Sequence, residues 1–232
     1  MRSNDIPLIR ELDLFAEMTA ANFDELMQAA FLQRFPPQVR LIAEGDPADF
    51  LHIMVEGSVE LFAGANGRET SIEIVRPVST FVLAAVLRDQ IYLMSARTVE
   101  NARVLMVPSE TVRAIFANDP VFARAVVREL SGGYRSVVKS LKNHKLRNSV
   151  ERLANYLLRQ EIEQGSEGVV TLKIDKRTLA ALLGMTPENL SRAFGTLKSY
   201  GVDVKGREIS LNKLDDLRGM AKPDPLIDDP LS

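Results

Sequence analysis

Glu188, Ser191 and Arg192 stand at i, i+3 and i+4 in the run Pro187-Glu188-Asn189-Leu190-Ser191-Arg192-Ala193-Phe194, so on a helix they share one face. A guanidinium there can donate to guanine O6 and N7 together, and a carboxylate can accept from cytosine N4. That combination suits the reading of base edges in a DNA major groove. Glu188 and Arg192 at i, i+4 also have the spacing of an ordinary surface salt bridge, and the sequence leaves both readings open. Around this run, Lys176, Arg177, Thr186, Asn189 and Lys198 supply donors suited to backbone phosphates, as do Lys205 and Arg207 flanking Gly206.

The surrounding residues say how such a face would be held. From Lys176 to Phe194 the chain has the form of a helix-turn-helix: Ala180 is small enough for a helix crossing, and Gly184 suits a left-handed turn. Thr186 then caps a second helix with Pro187 at its first position. Leu179, Leu183, Met185, Leu190 and Phe194 can close a small core. Downstream, Val202-Asp203-Val204 and Ile209-Ser210-Leu211 flank Lys205-Gly206-Arg207, a basic-tipped hairpin that completes a winged helix-turn-helix. A plain helical hairpin of the same composition would read alike. Charge favours nucleic acid: residues 135–213 carry 15 Lys and Arg against 8 Asp and Glu, while the rest carries 14 against 23.

Upstream the rhythm differs. Short helices are expected over residues 5–30, with Thr19 as a cap. Residues 31–108 read as short strands: Val39-Arg40-Leu41-Ile42 before Gly45; Leu51, Ile53 and Val55 alternating with His52, Met54 and Glu56; a hairpin turning at Asn66-Gly67; and Arg103-Val104-Leu105-Met106-Val107. Such spacing predicts a β-roll. Asp119-Pro120 opens a long helix whose apolar residues Phe122, Val126, Leu130, Gly133, Val137 and Leu141 form a coiled-coil-like stripe. Pairing with a second copy through Val126, Leu130, Gly133, Val137 and Leu141 is expected; packing on the chain's own roll is the alternative. The expected organisation is an α+β chain: a β-roll sensing domain (1–118), a dimerisation helix (119–147), a winged helix-turn-helix (148–214) and a tail (215–232) with a disordered end.

Cysteine is absent, which excludes disulfides, thiolate metal sites and thiol redox switches. With two histidines and no glycine-rich phosphate loop or nucleophile motif, the inventory for an enzyme is thin. No stretch approaches the roughly 18 apolar residues of a membrane span, so a cytoplasmic location is expected.

At this point nearly the whole chain resembles the CRP/FNR family, through Glu56-Gly57-Ser58-Val59 in the roll, the long helix, and Glu188-x-x-Ser191-Arg192. The resemblance implies a homodimer on an inverted repeat with half-sites like TTGAT, with RNA polymerase as a further partner. The cyclic-nucleotide branch carries Gly-Glu, an Arg-Ser pair and a Thr-Ser pair; residues 80–87 here lack Gly-Glu, Met94 precedes Ser95, and Val137 and Val138 stand for Thr-Ser. Cyclic AMP would therefore be buried without its bidentate partner, although Arg97 lies nearby. An iron–sulfur cluster is excluded. The effector pocket implied by the resemblance contains Phe81, Leu83, Met94, Arg97, Tyr134, Val137 and Val138. Haem is one candidate occupant, with His52 or His144 as ligand; an exposed strand histidine and a helix-end histidine are the plainer readings, and a plain core is that of residues 81–87. A regulator needing no ligand is the alternative to a gated one.

Overall fold

The computed structural model describes residues 5–165 and 167–229, and the chain divides into two compact units, Met1–Tyr134 and Arg135–Ser232. In the first, α1 (Asp5–Arg10) and α2 (Ala20–Ala29) lead in, the latter capped by the Thr19 hydroxyl accepting from Asn22 N–H. The strands are β1 (Phe31–Phe35), β2 (Arg40–Ile42), β3 (Phe50–Glu56), β4 (Val59–Ala65), β5 (Arg68–Val75), β6 (Ser79–Phe81), β7 (Ser95–Thr98) and β8 (Ala102–Pro108). The short helix α3 (Leu83–Arg88) interrupts them, and α4 (Ser109–Asn118) follows. They form two antiparallel sheets, β1-β8-β3-β6 and β2-β7-β4-β5, a β-roll. The β4–β5 hairpin closes at Asn66 (φ 54°) and Gly67 (φ 73°), the positive-φ pair that matches strand twist.

Alternation predicted one buried face for β3. Instead Leu51, His52, Ile53, Met54 and Val55 are all buried. This strand lies between β8 and β6, with α3 and α4 also against it, so its second face never meets water.

Asp119 caps α5 (Pro120–Leu146), its Oδ1 accepting from Val121 and Phe122 N–H at 2.8 and 3.0 Å. Phe122, Ala125 and Val126 are buried in the roll's own core, Phe122 stacking on Phe15 with centroids 6.1 Å apart. This corrects the expected pairing stripe: Val126 serves the roll. The exposed apolar residues are Val127, Leu130, Tyr134, Val137 and Leu141, at spacings of 3, 4, 3 and 4, with Val138 beside them. The first stretch of the helix thus packs on the chain's own roll, and the later stretch leaves an apolar row exposed. No described helix is long and apolar enough to cross a membrane.

The second unit continues with α6 (Ser149–Glu163), β9 (Val169–Thr171), α7 (Lys176–Leu182), α8 (Pro187–Leu197), β10 (Val202–Lys205), β11 (Glu208–Leu211), α9 (Leu214–Ala221) and α10 (Pro225–Asp228). Asn148 and Glu151 form a reciprocal capping box at the start of α6. The sheet order is β10-β11-β9. Residues 215–228, expected as tail, are largely helical: Leu217 and Ala221 are buried, and Asn155 Nδ2 donates to Ala221 O at 2.7 Å. The Asp/Pro composition that suggested disorder instead supplies a helix start, Asp224 capping Leu226 N–H with Pro225 at the first position. Disorder was expected from Lys222 to Ser232; residues 225–228 are helical instead, and residues 230–232 lie outside the described residues.

Gly57 adopts φ +84°, and a Cβ there would lie 2.3 Å from Asn101 O and 2.9 Å from Ala102 Cα, both backbone. Gly57→Ala is expected to cost at least about 2 kcal/mol. Gly67→Ala, with a similar φ and open space, is expected to cost about 1 kcal/mol. Urea midpoints of the two variants check the order, and equal midpoints would contradict it.

Candidate nucleic-acid interface

The helix-turn-helix is built by caps on both sides of one glycine. Asp175 Oδ1 accepts from Thr178 N–H at 2.7 Å and starts α7. Gly184 (φ +61°) ends it, with Gly184 N–H donating to Ala181 O and Met185 N–H to Ala180 O, both at 2.9 Å. The Thr186 hydroxyl accepts from Asn189 N–H at 3.3 Å, and Pro187 opens α8. Leu190, Ala193, Phe194 and Leu197 are buried against the unit's core together with Leu179, Ala180 and Leu183. Glu188, Asn189, Ser191, Arg192, Gly195 and Thr196 are exposed, so the three proposed base readers do share one open helix face.

Among the described residues no hydrogen bond or ion pair holds the Arg192 guanidinium; its charge acts on Glu188 only through space. The Glu188 carboxyl is held below its ordinary range first by its own backbone N–H and by the Thr186 hydroxyl, then by Arg192. The face is therefore charged and without a fixed internal pairing. Lys176 lies with its Nζ 5.9 Å from the Phe194 ring centroid, and Arg177 is exposed beside it at the start of α7. Lys198 stands past the far end of α8, in a 3₁₀ turn of residues 198–200. At the wing, Lys205 pairs across the ladder with Glu208, Gly206 turns at φ +65°, and Lys205 and Arg207 are exposed.

One residue that spacing did not single out is Arg152. Its guanidinium donates to Leu183 O (2.8 Å), Gly184 O (3.3 Å) and Arg147 O (2.7 Å), satisfying carbonyls at the end of α7. Arginine on a helix with apolar neighbours gives no sequence signal for two backbone acceptors some thirty residues away.

In the roll, the residues expected around an effector are already engaged. Phe81 and Leu83 are buried in the core, and Met94 is half-buried. Val82 between the first two adopts φ +61° at the start of α3, rare for a β-branched side chain, and provides no side-chain cap. The Ser95 hydroxyl accepts from Glu44 N–H at 3.0 Å. Arg97 pairs with Glu60 (2.7 Å) and Glu69 (2.8 Å) and lies 4.2 Å above the Phe62 ring. Buried Glu60 also accepts from the Ser71 hydroxyl. Tyr134 is exposed at the end of the first unit, while Val137 and Val138 belong to the second.

His52 is 3% exposed, its ring stacked on Phe81 (5.1 Å) and facing the Tyr92 edge (6.4 Å), with Nδ1 buried and unpartnered. It is a core residue, not the exposed strand histidine anticipated. Nor does it fit a haem ligand: an iron would have to reach a ring nitrogen in the imidazole plane, and the ring is enclosed in the core, stacked on Phe81 with Tyr92 beside it. His144 in the second unit has Nδ1 on Ser140 O at 2.8 Å and its Cδ2–Nε2 edge against Gly184. Haem therefore finds no fitting histidine here.

Against known proteins, residues 32–119 match the model of the cyclic nucleotide-binding domain, and residues 151–220 that of the Crp-like helix-turn-helix domain, together more than half of the chain. The chain belongs to the CRP/FNR family. It is a DNA-binding regulator of transcription, in a family of regulators rather than enzymes. Among its relatives is the CRP-like cAMP-activated global transcriptional regulator of Mycobacterium tuberculosis, 24% identical over 194 residues, covering 81% of this chain and 87% of that protein. A Silicibacter pomeroyi DSS-3 structure assigned to a cAMP-binding regulatory protein is 27% identical, covering 94% and 99%, with TM-score 0.62. FixK2 from Bradyrhizobium japonicum shares the fold, at TM-score 0.73 and 21% identity, covering 84% of this chain and 98% of that one.

Within this CRP/FNR roll, burial pulls the His52 imidazole down to about 4 from 6.5, against a smaller opposing hydrogen bond to the Phe50 backbone. A base whose folded pKa is depressed leaves stability intact above the unfolded value and removes it as pH falls, since only the unfolded chain takes up the proton. Between pH 6.5 and 4 the loss should approach about 3 kcal/mol from this group. His52→Phe is expected to remove about one proton from the slope of unfolding free energy against pH in that window. Parallel slopes for wild type and variant would show that the buried imidazole plays no part.

Proposed function

We propose that this regulator acts as a homodimer on an inverted repeat with TTGAT-like half-sites, gated by an effector other than cyclic AMP. The observation that carries the DNA reading is the open face of α8, where Glu188, Ser191 and Arg192 stand exposed above buried Leu190, Ala193, Phe194 and Leu197. In this reading Arg192 takes guanine, Glu188 accepts from a cytosine amino group, and Ser191 adapts between them. Lys176, Arg177, Asn189, Lys205 and Arg207 take phosphates; Thr186 adds its hydroxyl and Lys198 serves the far end of the helix. RNA polymerase is the further partner that the family membership implies.

Pairing is supported by the exposed heptad-spaced row Val127, Leu130, Tyr134, Val137 and Leu141, which a second copy of α5 would cover. Two copies would then present two recognition helices to successive major grooves, about one DNA turn apart. The relatives' response to cyclic AMP does not carry over readily. A phosphate would have to displace two carboxylates from Arg97 and would meet Met94 and Leu83 where family partners are polar or charged. The burial of Phe81 and Leu83 favours a second reading, in which the filled cassette keeps the regulator competent without any ligand. DNA binding by protein freed of small molecules separates the two.

Leu130→Glu with Val137→Glu is expected to raise the dimer dissociation constant at least a hundredfold, roughly the effect of about 3 kcal/mol of unpaired buried charge. Both side chains are exposed within the chain, so its melting should change little once corrected for dimer loss. Sedimentation equilibrium decides, and an unshifted constant removes the stripe from the interface.

Arg192→Ala should erase preference for TTGAT over the same site with its guanine changed, a loss of about 1–3 kcal/mol in discrimination. Lys205→Ala should instead weaken all sequences together and reduce the salt slope by about one. Binding to matched and mismatched duplexes at several salt concentrations distinguishes them. Full guanine preference in Arg192→Ala would reassign the base contact.

A further inference from the structure

We propose that residues 224–229 form a strap that positions the DNA-reading helices, closing on the last turns of α5 and acting on the helix-turn-helix through Arg147 and Arg152. The proposal rests on the family's DNA binding through α7 and α8, and concerns residues beyond 220, outside both matched family models.

The strap is tied at three of its residues, Leu226, Asp228 and Asp229. The Arg147 guanidinium, 7% exposed, donates to both Asp228 oxygens, Nη1 to Oδ1 at 2.7 Å and Nη2 to Oδ2 at 2.5 Å. Lys139 Nζ donates to Asp229 O at 2.7 Å, and Lys142 Nζ to Leu226 O at 3.2 Å. Asn143 Oδ1 accepts a further Arg147 hydrogen bond at 3.2 Å. Within the strap, Asp228 Oδ2 accepts from Asp224 N–H at 2.7 Å, so the same carboxylate shapes α10 and grips α5. Burial opposes ionisation of Asp228, yet the hydrogen bonds from Arg147 and Asp224 keep its carboxyl below the ordinary range.

Arg147 is where strap and reading unit meet. Its side chain holds the strap, while its carbonyl accepts from Arg152, whose other donors hold Leu183 O and Gly184 O in the turn before α8. The His144 ring edge fills the space beside Gly184 where a Cβ would stand, 2.7 Å away. The last turns of α5 therefore grip the turn through His144 and through Arg152. A bidentate guanidinium–carboxylate pair fixes direction as well as distance, which a single lysine contact would not. Lys139, Lys142 and Asn143 lie at i, i+3 and i+4 on one face of α5, turned away from the row ending in Val137 and Leu141, and Arg147 stands just past the helix end. The strap thus braces the helix from behind and leaves its apolar row free for a second copy.

The absence of cysteine permits a direct test on the full chain. Spin labels at Ser136→Cys on α5 and Thr196→Cys on α8, both exposed, report the intrachain distance when labelled chain is diluted with unlabelled chain. Asp228→Asn, and a stop after Ala221, should each broaden that distribution and weaken binding to the matched site roughly tenfold, as the competent fraction falls to about a tenth. Non-specific affinity and its salt slope should stay unchanged. Asp228→Glu, and the double variant Arg147→Met with Asp228→Leu, which replaces the ion pair by apolar packing, should restore both readouts. A distribution as narrow as wild type in both strap variants overturns the proposal. So does operator affinity that falls only in step with the denaturation midpoint. If Arg192→Ala keeps its guanine preference while the strap variants still broaden the distribution, the base-contact assignment fails and the strap stands.

Discussion

A helix buries only what lies against it, and α5 changes what lies against it part-way along its 27 residues. Near Asp119 its apolar side chains enter the roll: Phe122 on Phe15, with Ala125 and Val126 buried behind. From Val127 onward the apolar row faces solvent, while near its end the helix is gripped from behind by Asp228 and Asp229. Isolated helices of this length have limited stability of their own, so each stretch takes its order from a different partner. The two ends of the helix thereby answer to two different cores.

Much of the DNA-reading unit was legible because its signals are local. Thr186-Pro187 and Gly184 act within a few residues of themselves, and the exposed face of α8 follows from 3.6 residues per turn. Asn66-Gly67 and Asp119-Pro120 were readable for the same reason. What misled was set at long range. His52 looked like an exposed strand residue because alternation describes one sheet face; burial on the other comes from α3 and α4, which no neighbour of His52 announces. The pairing stripe was phased from Phe122 and Val126, yet these serve the roll, and the row beyond them starts again at Val127. The C-terminal segment looked disordered by composition, whereas Leu217, Ala221 and Ile227 find cover from the helices of their own unit.

Candidate effector residues were the least legible, for a related reason. Their identities were plain, but a pocket exists only where neighbours leave space and unmet polar groups. Arg97 looked available from its position; Glu60 and Glu69 come from other strands and satisfy it. Phe81 and Leu83 looked like a lining and are core. Spacing along a chain cannot report that a site has been filled.

The arginines of this chain separate scaffold from reader. Arg97, Arg147 and Arg152 each direct their donors at carboxylates or carbonyls, and each sits where leaving those donors unmet would be costly, beneath an ion pair or at a helix end. Arg192 differs: among the described residues nothing accepts from it, and it stands in water on a rigid helix fixed by four buried side chains. Forming a bidentate contact from there exchanges water for a base edge without breaking an internal bond, so its free energy goes into discrimination rather than into compensating a lost contact. A guanidinium already paired to Glu188 would have to give up that partner first. In the proposed reading the open pairing on α8 and the closed pairing behind α5 are complementary: the satisfied arginines would hold the frame still so that the unsatisfied one can be selective.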